Sequence, residues 1–255
     1  MIIKLDDTKN VEQLFYNWEE TPIWSCLQRI MGDIYVDNLR NPLSAMAIIG
    51  DLCFLAGLPN EELILYKPKD RIKNFIIMVP QNEKWAELIE SVYGDKANRV
   101  NRYAIKKEGD VFDKVKLQQV VGSLPAEYSL KMIEEDLYKL CRTNDWSIDL
   151  VSQYEDYEMY RKIGIGVVVL KDGMILSGAS SYTRYQDGIE IEIDTKEDYR
   201  RKGLAYVCGA KLILECLERG LYPSWDAQNK WSVALAEKLG YHYDHEYLAY
   251  EIYGY

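Results

Sequence analysis

The stretch from 165 to 195, "IGVVVLKDGMILSGASSYTRYQDGIEIEIDT", constrains the fold of this chain more than any other. Runs rich in β-branched and aromatic residues are broken at Asp172-Gly173 and Asp187-Gly188. Asp-Gly between β-prone runs favours a tight hairpin turn. The spacing predicts an antiparallel three-stranded meander over 165–195. Next comes a charged loop, "DTKEDYRRKGLA", and then "YVCGAKLILECLERG", whose apolar residues recur at helical spacing. The last strand of the meander therefore leads through a basic loop into a helix that stops near Gly220.

The flanking segments complete a mixed fold. "EYSLKMI" (127–133) reads as a strand, and "EEDLYKLCRTNDW" and "SIDLVSQYEDYEMYRKIG" as short helices. After Gly220, "LYPSWDA" reads as a strand, "QNKWSVALAEKLG" as a helix and "YHYDHEYLAYEIY" as β-rich. This order predicts an α/β (α+β) domain over 126–255, with a mixed, mostly antiparallel sheet flanked by helices. The turn residues of "GSLPAEY" mark a boundary near 125, with a smaller α/β domain over 1–125. There, "TPIWSCLQRIMGDIYVD" suggests two strands around Gly32-Asp33, and "SAMAIIGDLCFLAG" a third. "KNFIIMVP", "NEKWAELIESVYG" and "RVNRYAIK" read as strand, helix, strand. "PQNEKWAELIESVYG" also echoes "AQNKWSVALAEKLGY". The echo fits either an old duplication or shared strand-helix-strand grammar.

Composition excludes several classes of function. With 31 Lys and Arg against 41 Asp and Glu, the net charge is −10, which disfavours nucleic acid and anionic membrane surfaces as partners. A cationic partner suits the charge better. No apolar run is long enough to span a bilayer, and the N-terminus lacks a signal-peptide pattern, so a cytoplasmic protein is expected. The five cysteines are odd in number and lack CxxC spacing, so reduced thiols are expected, with neither a disulfide frame nor a metal site. Oligomerisation is left open.

The loop carries the chemistry. Neither GxxxxGK[ST] nor GxGxxG occurs, which removes the P-loop and the dinucleotide fingerprint. What stands between strand and helix is R-x-x-G-x-A, with Arg200, Gly203 and Ala205. Unpartnered amides at a helix start, the positive end of its dipole and a slim Gly203 suit a pyrophosphate. Arg200, Arg201 and Lys202 add charge-assisted contacts. A solvated loop before a helix is the plain alternative.

R-x-x-G-x-A after a fourth strand, followed by "WDAQNKWSVALAEKLGY" (225–241), resembles the GCN5-related N-acetyltransferases (GNAT). The similarity covers about 127 to 255 in element order. More narrowly, "IEIDTKEDYRRKGLA" with "LYPSWDAQN…LAEKLGY" resembles the two-part bacterial branch that includes zwittermicin-A-resistance-type acetyltransferases, and "GDLCFLAG" and "NRYAIK" extend the likeness upstream. Residues 1–125 would then be a degenerate GNAT-like half. The resemblance implies acetyl-CoA as acetyl donor, no metal, and direct transfer within a ternary complex. It implies that backbone groups of Ile193, Asp194 and Thr195 hold the pantetheine arm, with the Thr195 amide polarising the thioester carbonyl. It places the pyrophosphate on Arg200, Arg201, Lys202, Gly203, Leu204 and Ala205, and gives Asn229 and Ser232 to the pantetheine.

An attacking amine must lose a proton. Glu190, Glu192 and Asp194 alternate along strand four and share one face, where like charge and burial raise carboxylate pKa values. Glu192 or Glu190 is the expected general base, and the face would attract a cationic amine. An exposed strand face or ordinary ion pairs is the plain reading. Many relatives carry a tyrosine four residues before the glycine of Leu-Gly-aromatic as the acid, and here that position is Ala236. Tyr241 is the nearby candidate in its place. His242 and His245 are the only histidines and are weaker candidates. The reading is a CoA-dependent N-acetyltransferase for a primary amine of a small molecule; the alternative, which Ala236 favours, is an acyl-CoA-binding sensor without chemistry.

Overall fold

A computed structural model describes residues 1–69 and 74–255. In chain order it forms β1 (Ile3–Lys4), α1 (Thr21–Leu27), β2 (Asp33–Val36), β3 (Ser44–Ile49), β4 (Leu52–Gly57), α2 (Glu61–Leu65), β5 (Phe75–Pro80), α3 (Glu83–Tyr93) and β6 (Ala97–Ile105). Then follow α4 (Lys114–Gly122), β7 (Ser129–Met132), α5 (Glu135–Cys141), α6 (Tyr157–Ile163), β8 (Gly166–Lys171), β9 (Met174–Tyr185) and β10 (Gly188–Thr195). The chain ends with α7 (Leu204–Glu218), β11 (Tyr222–Ser224), β12 (Asp226–Ala227), α8 (Lys230–Leu239) and β13 (Tyr243–Tyr253). Among the described residues no helix is long and apolar enough to cross a membrane.

The chain divides into two compact units, residues 1–102 with 246–255, and residues 103–245. The boundary expected near 125 falls inside the second unit. The reason is α4, whose Leu117 and Val120 are buried in the second core. The last strand belongs with the first unit because Tyr250 to Tyr253 pair with Met78 to Phe75, and Tyr250 and Ile252 are buried in the first core.

In the first unit β2, β3 and β4 form an antiparallel meander, and β5 runs parallel to β4. Two expected elements come out differently. "TPIWSCLQ" is not a strand but α1, with Pro22 in its first turn, where a fixed φ and a missing N–H cost nothing. Ile23 and Cys26, three apart, fill its buried face. "SAMAIIGDLCFLAG" is not one strand but the β3–β4 hairpin, turning at Gly50-Asp51. The helix α2 was not anticipated. Trp85, Met46, Leu55, Ile76 and Met78 form the core.

In the second unit the sheet order is β11-β10-β9-β8-β7, with β10 parallel to β11 and the other pairs antiparallel. The expected meander over 165–195 is present. Its first turn is Asp172-Gly173, with φ of 52° and 79°. The second lies one residue earlier than expected, at Gln186-Asp187. Gly188 already opens β10, paired with Tyr185 and Tyr222, and must be glycine because a Cβ there would collide with the Tyr222 carbonyl and the Tyr185 ring. "SIDLVSQYEDYEMYRKIG" divides into a 3-10 turn, Ile148–Leu150, and α6, which starts where Asp156 caps the Met159 N–H at 2.8 Å. α7 lays Leu204, Val207, Cys208 and Ile213 against Val167, Val169, Leu176, Ile189 and Ile191. Burial pushes the Cys208 thiol up to about 12, the behaviour of a packed, unreactive sulfur.

Candidate active site

The site begins where two parallel strands part. β10 and β11 pair only from Gly188–Tyr222 to Glu190–Ser224. Beyond Ser224 the chain leaves β10, and Asp226 and Ala227 pair instead with Ala104 and Tyr103 of β6. Ile191 to Thr195 therefore have no strand on that side among the described residues. Alternation tells which backbone groups look into the gap. The Tyr222 N–H donates to the Asp187 carbonyl at 2.8 Å, on the β11 side, and the Lys196 N–H donates to the Leu176 carbonyl at 2.9 Å, on the β9 side. Successive residues of a strand point their N–H and C=O to opposite sides. Ile191, Ile193 and Thr195 thus present theirs to the open edge. A slim, amide-bearing ligand can lie there as a surrogate strand.

The gap leads to a helix start built for an anion. Among the described residues, five helices carry a side-chain N-cap, from Asn60, Asn82, Asp113, Asp156 and Asn229. α7, fifteen residues long, has none; its N-cap is Gly203, at φ 80° and ψ 2°. A left-handed cap residue strains any side chain but glycine. A Cβ at Gly203 would meet no atom within 4 Å, so the backbone is open to approach. Arg200, Arg201 and Lys202 are exposed around it. Lys202 Nζ sits 4.3 Å over the Tyr199 ring. Leu204 is buried and anchors the first turn to the core, while Ala205 is only partly covered. Open amides and the positive end of the dipole meet at this exposed helix start, with three cations next to it in sequence.

The three carboxylates lie on one face of β10, opposite Ile189, Ile191 and Ile193, which pack on the α7 core. Glu190 is buried, across from Thr183 on β9 and Ser224 on β11. Burial holds the Tyr185 and Tyr241 hydroxyls above their usual range, and the nearby Glu190 carboxylate adds to it. Next to it the β9 register slips at Tyr182, a bulge of the kind that re-aims side chains beside sites. Glu192 is half-buried, across from Ser180. Asp194 Oδ1 accepts the Thr195 N–H at 2.6 Å, with Arg200 Nη2 at 3.7 Å. Burial raises the Asp194 pKa, and Thr195 and Arg200 oppose the rise. Arg200 Nε donates to the Thr195 carbonyl at 3.2 Å.

Other expected site residues fall elsewhere. Tyr241 is buried, and its hydroxyl donates to the Pro223 carbonyl at 2.6 Å, between the rings of Phe112 and Trp225. Burial, first of all, drives its pKa well up. That geometry is a core contact. Asn229 caps α8, its Oδ1 accepting the Ser232 N–H at 2.9 Å, so its NH₂ is the part available to a ligand. Ser232 Oγ accepts from Trp225 Nε1 at 3.0 Å. His242 Nδ1 pairs with Glu108 Oε2 at 2.7 Å, on the surface. Sequence reading missed Ser177, whose hydroxyl lies 2.7 Å from Thr195 Oγ1 and 3.1 Å from the Asp194 carbonyl. Its signal was the hydroxyl-rich run "SGASSYT" in a strand whose Ser177, Ser180, Ser181 and Thr183 are all buried.

A mixed sheet that parts between parallel neighbours, beside an uncapped helix start, defines an α/β transferase domain of the GCN5-related class. The model of the GNAT acetyltransferase family matches residues 12–250, and the chain belongs to that family of acetyl-CoA-using N-acetyltransferases. It is 49% identical to a GCN5-related N-acetyltransferase-like protein from Streptococcus suis 89/1591, with a TM-score of 0.91 over 96% of this chain and 98% of that one. It is 28% identical over 244 residues to the uncharacterized N-acetyltransferase YdfB of Bacillus subtilis (strain 168), covering 90% of this chain and 89% of that protein. A putative GNAT acetyltransferase from Novosphingobium aromaticivorans shares the fold at 17% identity, with a TM-score of 0.56 over 92% of this chain and 97% of that one. The family assignment favours chemistry over a sensor that only binds acyl-CoA.

Proposed function

We propose that this N-acetyltransferase moves the acetyl group of acetyl-CoA directly to a primary amine of a small, cationic acceptor, in a ternary complex. The observation that carries the reading is the open edge of Ile191 to Thr195 leading to the uncapped start of α7. The pantetheine amides would pair with Ile193, and the pyrophosphate would sit on the Gly203 to Ala205 amides among Arg200, Arg201 and Lys202. The Thr195 N–H points into the same gap and is the donor for the oxyanion that forms at the thioester carbonyl. Glu192, roughly 10 Å back along the strand from Thr195, leaves room for an amine and takes its proton. Glu190, deeper in, supplies negative potential or acts as base in its place. The amine attacks the carbonyl carbon, the tetrahedral intermediate expels CoA thiolate, and solvent protonates the sulfur. The net charge of −10 suits a cationic acceptor. The two-part layout is also our reason for proposing the zwittermicin-A-resistance-type branch.

Calorimetry on wild type and Gly203→Asp tests the donor site. An aspartate there would be strained at φ 80° and would set a carboxylate against the pyrophosphate. Wild type should bind acetyl-CoA, and the variant should lose nearly all affinity. A folded variant with wild-type affinity would sink the site. Transfer assays over diamines, polyamines and amino sugars would identify the acceptor class, and a preference for neutral amines would overturn the cationic part.

A further inference from the structure

The Thr195 N–H is not idle. It is turned to the open edge, and the carboxylate of the preceding residue holds it at 2.6 Å. Asp194 could have pointed to solvent, since its side chain is 38% exposed. It folds back instead and places an anionic oxygen where an acyl oxygen would lie if Thr195 polarises the thioester. Arg200 frames the arrangement. Its Nε is fixed on the Thr195 carbonyl at 3.2 Å, and its Nη2 is 3.7 Å from the same Asp194 oxygen. Below, Ser177 Oγ donates to the Asp194 carbonyl at 3.1 Å and lies 2.7 Å from Thr195 Oγ1, so it holds the Asp194 backbone and the Thr195 side chain without engaging the carboxylate. The carboxylate thus has two stations, the Thr195 amide and the Arg200 guanidinium.

We propose that Asp194 is a placeholder for the acyl oxygen: its carboxylate occupies the Thr195 N–H in the free protein and gives it up only to a donor that carries a carbonyl. The inference rests on the donor-site reading above and goes beyond it by giving the Asp194 side chain, not only its backbone, a role. Free CoA offers a thiol, which has no claim on an amide N–H, so the carboxylate stays in place when the product is bound. An acyl donor displaces it toward Arg200, and the charge then points to the face shared with Glu192, where the amine must come. Asp194 would be a positioning residue that ties readiness of the acceptor side to the presence of an acyl group.

The test compares two ligands in three proteins. One ligand is CoA. The other is the ketone analogue of acetyl-CoA in which a methylene replaces the thioester sulfur, which keeps the carbonyl and cannot transfer. Removing a negative charge beside Arg200 strengthens both ligands alike through the phosphates, so the ratio of their Kd values, CoA over analogue, isolates the carbonyl. Asp194→Ala should raise that ratio by on the order of tenfold, the worth of a hydrogen bond to a charged group that no longer has to be broken. Asp194→Asn, which keeps the shape with a neutral acceptor, should raise it less, and it decides the matter alone if the alanine variant does not fold. The same ratio in all three proteins would overturn the placeholder while leaving the donor site intact. Failure of wild type to bind either ligand would instead overturn the donor site, and the placeholder with it.

Discussion

Glu192 and Glu190 stand two residues apart on one strand face, yet their surroundings differ. Glu190 is 5% exposed, between Thr183 and Ser224, whereas Glu192 is only half-buried and reachable by an acceptor. A base has to meet its amine directly or through one water, so Glu192 ranks first. Glu192→Gln should cut kcat by about 10²–10⁴ and leave CoA affinity unchanged. Full activity from pH 6 to 9 in this variant would place the base elsewhere. Were KM alone to rise, the residue would serve only to attract the cation. Tyr241 makes the opposite case. Its closeness in sequence to Ala236 was the whole of its claim, and folding spends its hydroxyl on the Pro223 carbonyl inside the core. Tyr241→Phe should lower unfolding free energy by about 1 kcal/mol and leave kcat essentially intact, as denaturant melts and steady-state rates would show. A loss of kcat with no loss of stability would restore the tyrosine as the acid.

At the scale of elements, what could be read was what local chemistry dictates. Asp172-Gly173 turns a hairpin by its own dihedrals, and Gly203 starts α7 in a conformation that suits glycine. Asn229 and Asn82 begin helices by capping them, which is why the two quoted segments look alike. α1 misled because Thr, Ile, Trp and Cys favour strands, and only Pro22 and the packing of Ile23 and Cys26 make it helical. The parting of β10 and β11 was not legible from residues alone. It depends on a non-local event, the pairing of Asp226 and Ala227 with β6, more than a hundred positions earlier in the chain. Asn229 caps α8, and substitution can separate that cap from the pantetheine contact proposed for it. Asn229→Ala should cost about 1 kcal/mol of stability. Asn229→Asp should keep the cap, since aspartate caps as well as asparagine, but should weaken acetyl-CoA by losing the NH₂ donor and adding a negative charge. Equal binding by wild type and the aspartate variant in calorimetry would remove Asn229 from the pantetheine contacts.

Taken as a whole molecule, the chain uses one order of elements twice. The second unit has a meander, β8-β9-β10, then α7, then β11 parallel to β10, then the Asn-capped α8. In the first unit the meander β2-β3-β4 is followed by α2, by β5 parallel to β4, and by the Asn-capped α3. The faint echo between the two Asn-led helices falls at corresponding places in the two orders, apart from the short β12 before α8. The first unit differs at both features on which the proposed CoA site rests, the open edge and the uncapped helix start. Its parallel pair stays joined from Leu52–Ile77 to Leu55–Pro80, and the Gln81 N–H extends it by donating to the Leu55 carbonyl at 3.0 Å. The next edge groups are taken by side chains: the Gly57 N–H donates to Gln81 Oε1 at 2.9 Å, and the Gly57 carbonyl accepts from Trp85 Nε1 at 3.0 Å. Its helix start is also closed, because Asn60 caps α2 and Glu61 and Glu62 fill the first turn, which favours the dipole and repels phosphate. Among the described residues, neither a parting of the parallel strands nor an uncapped helix start remains there for a pantetheine and a pyrophosphate. A titration of the full chain with CoA should therefore give a stoichiometry of one. Gly203→Asp should take it to zero, since the open edge and uncapped helix start do not recur among the described residues of the first unit. A second equivalent of CoA bound by wild type, or one equivalent surviving in the variant, would show a CoA site outside the start of α7.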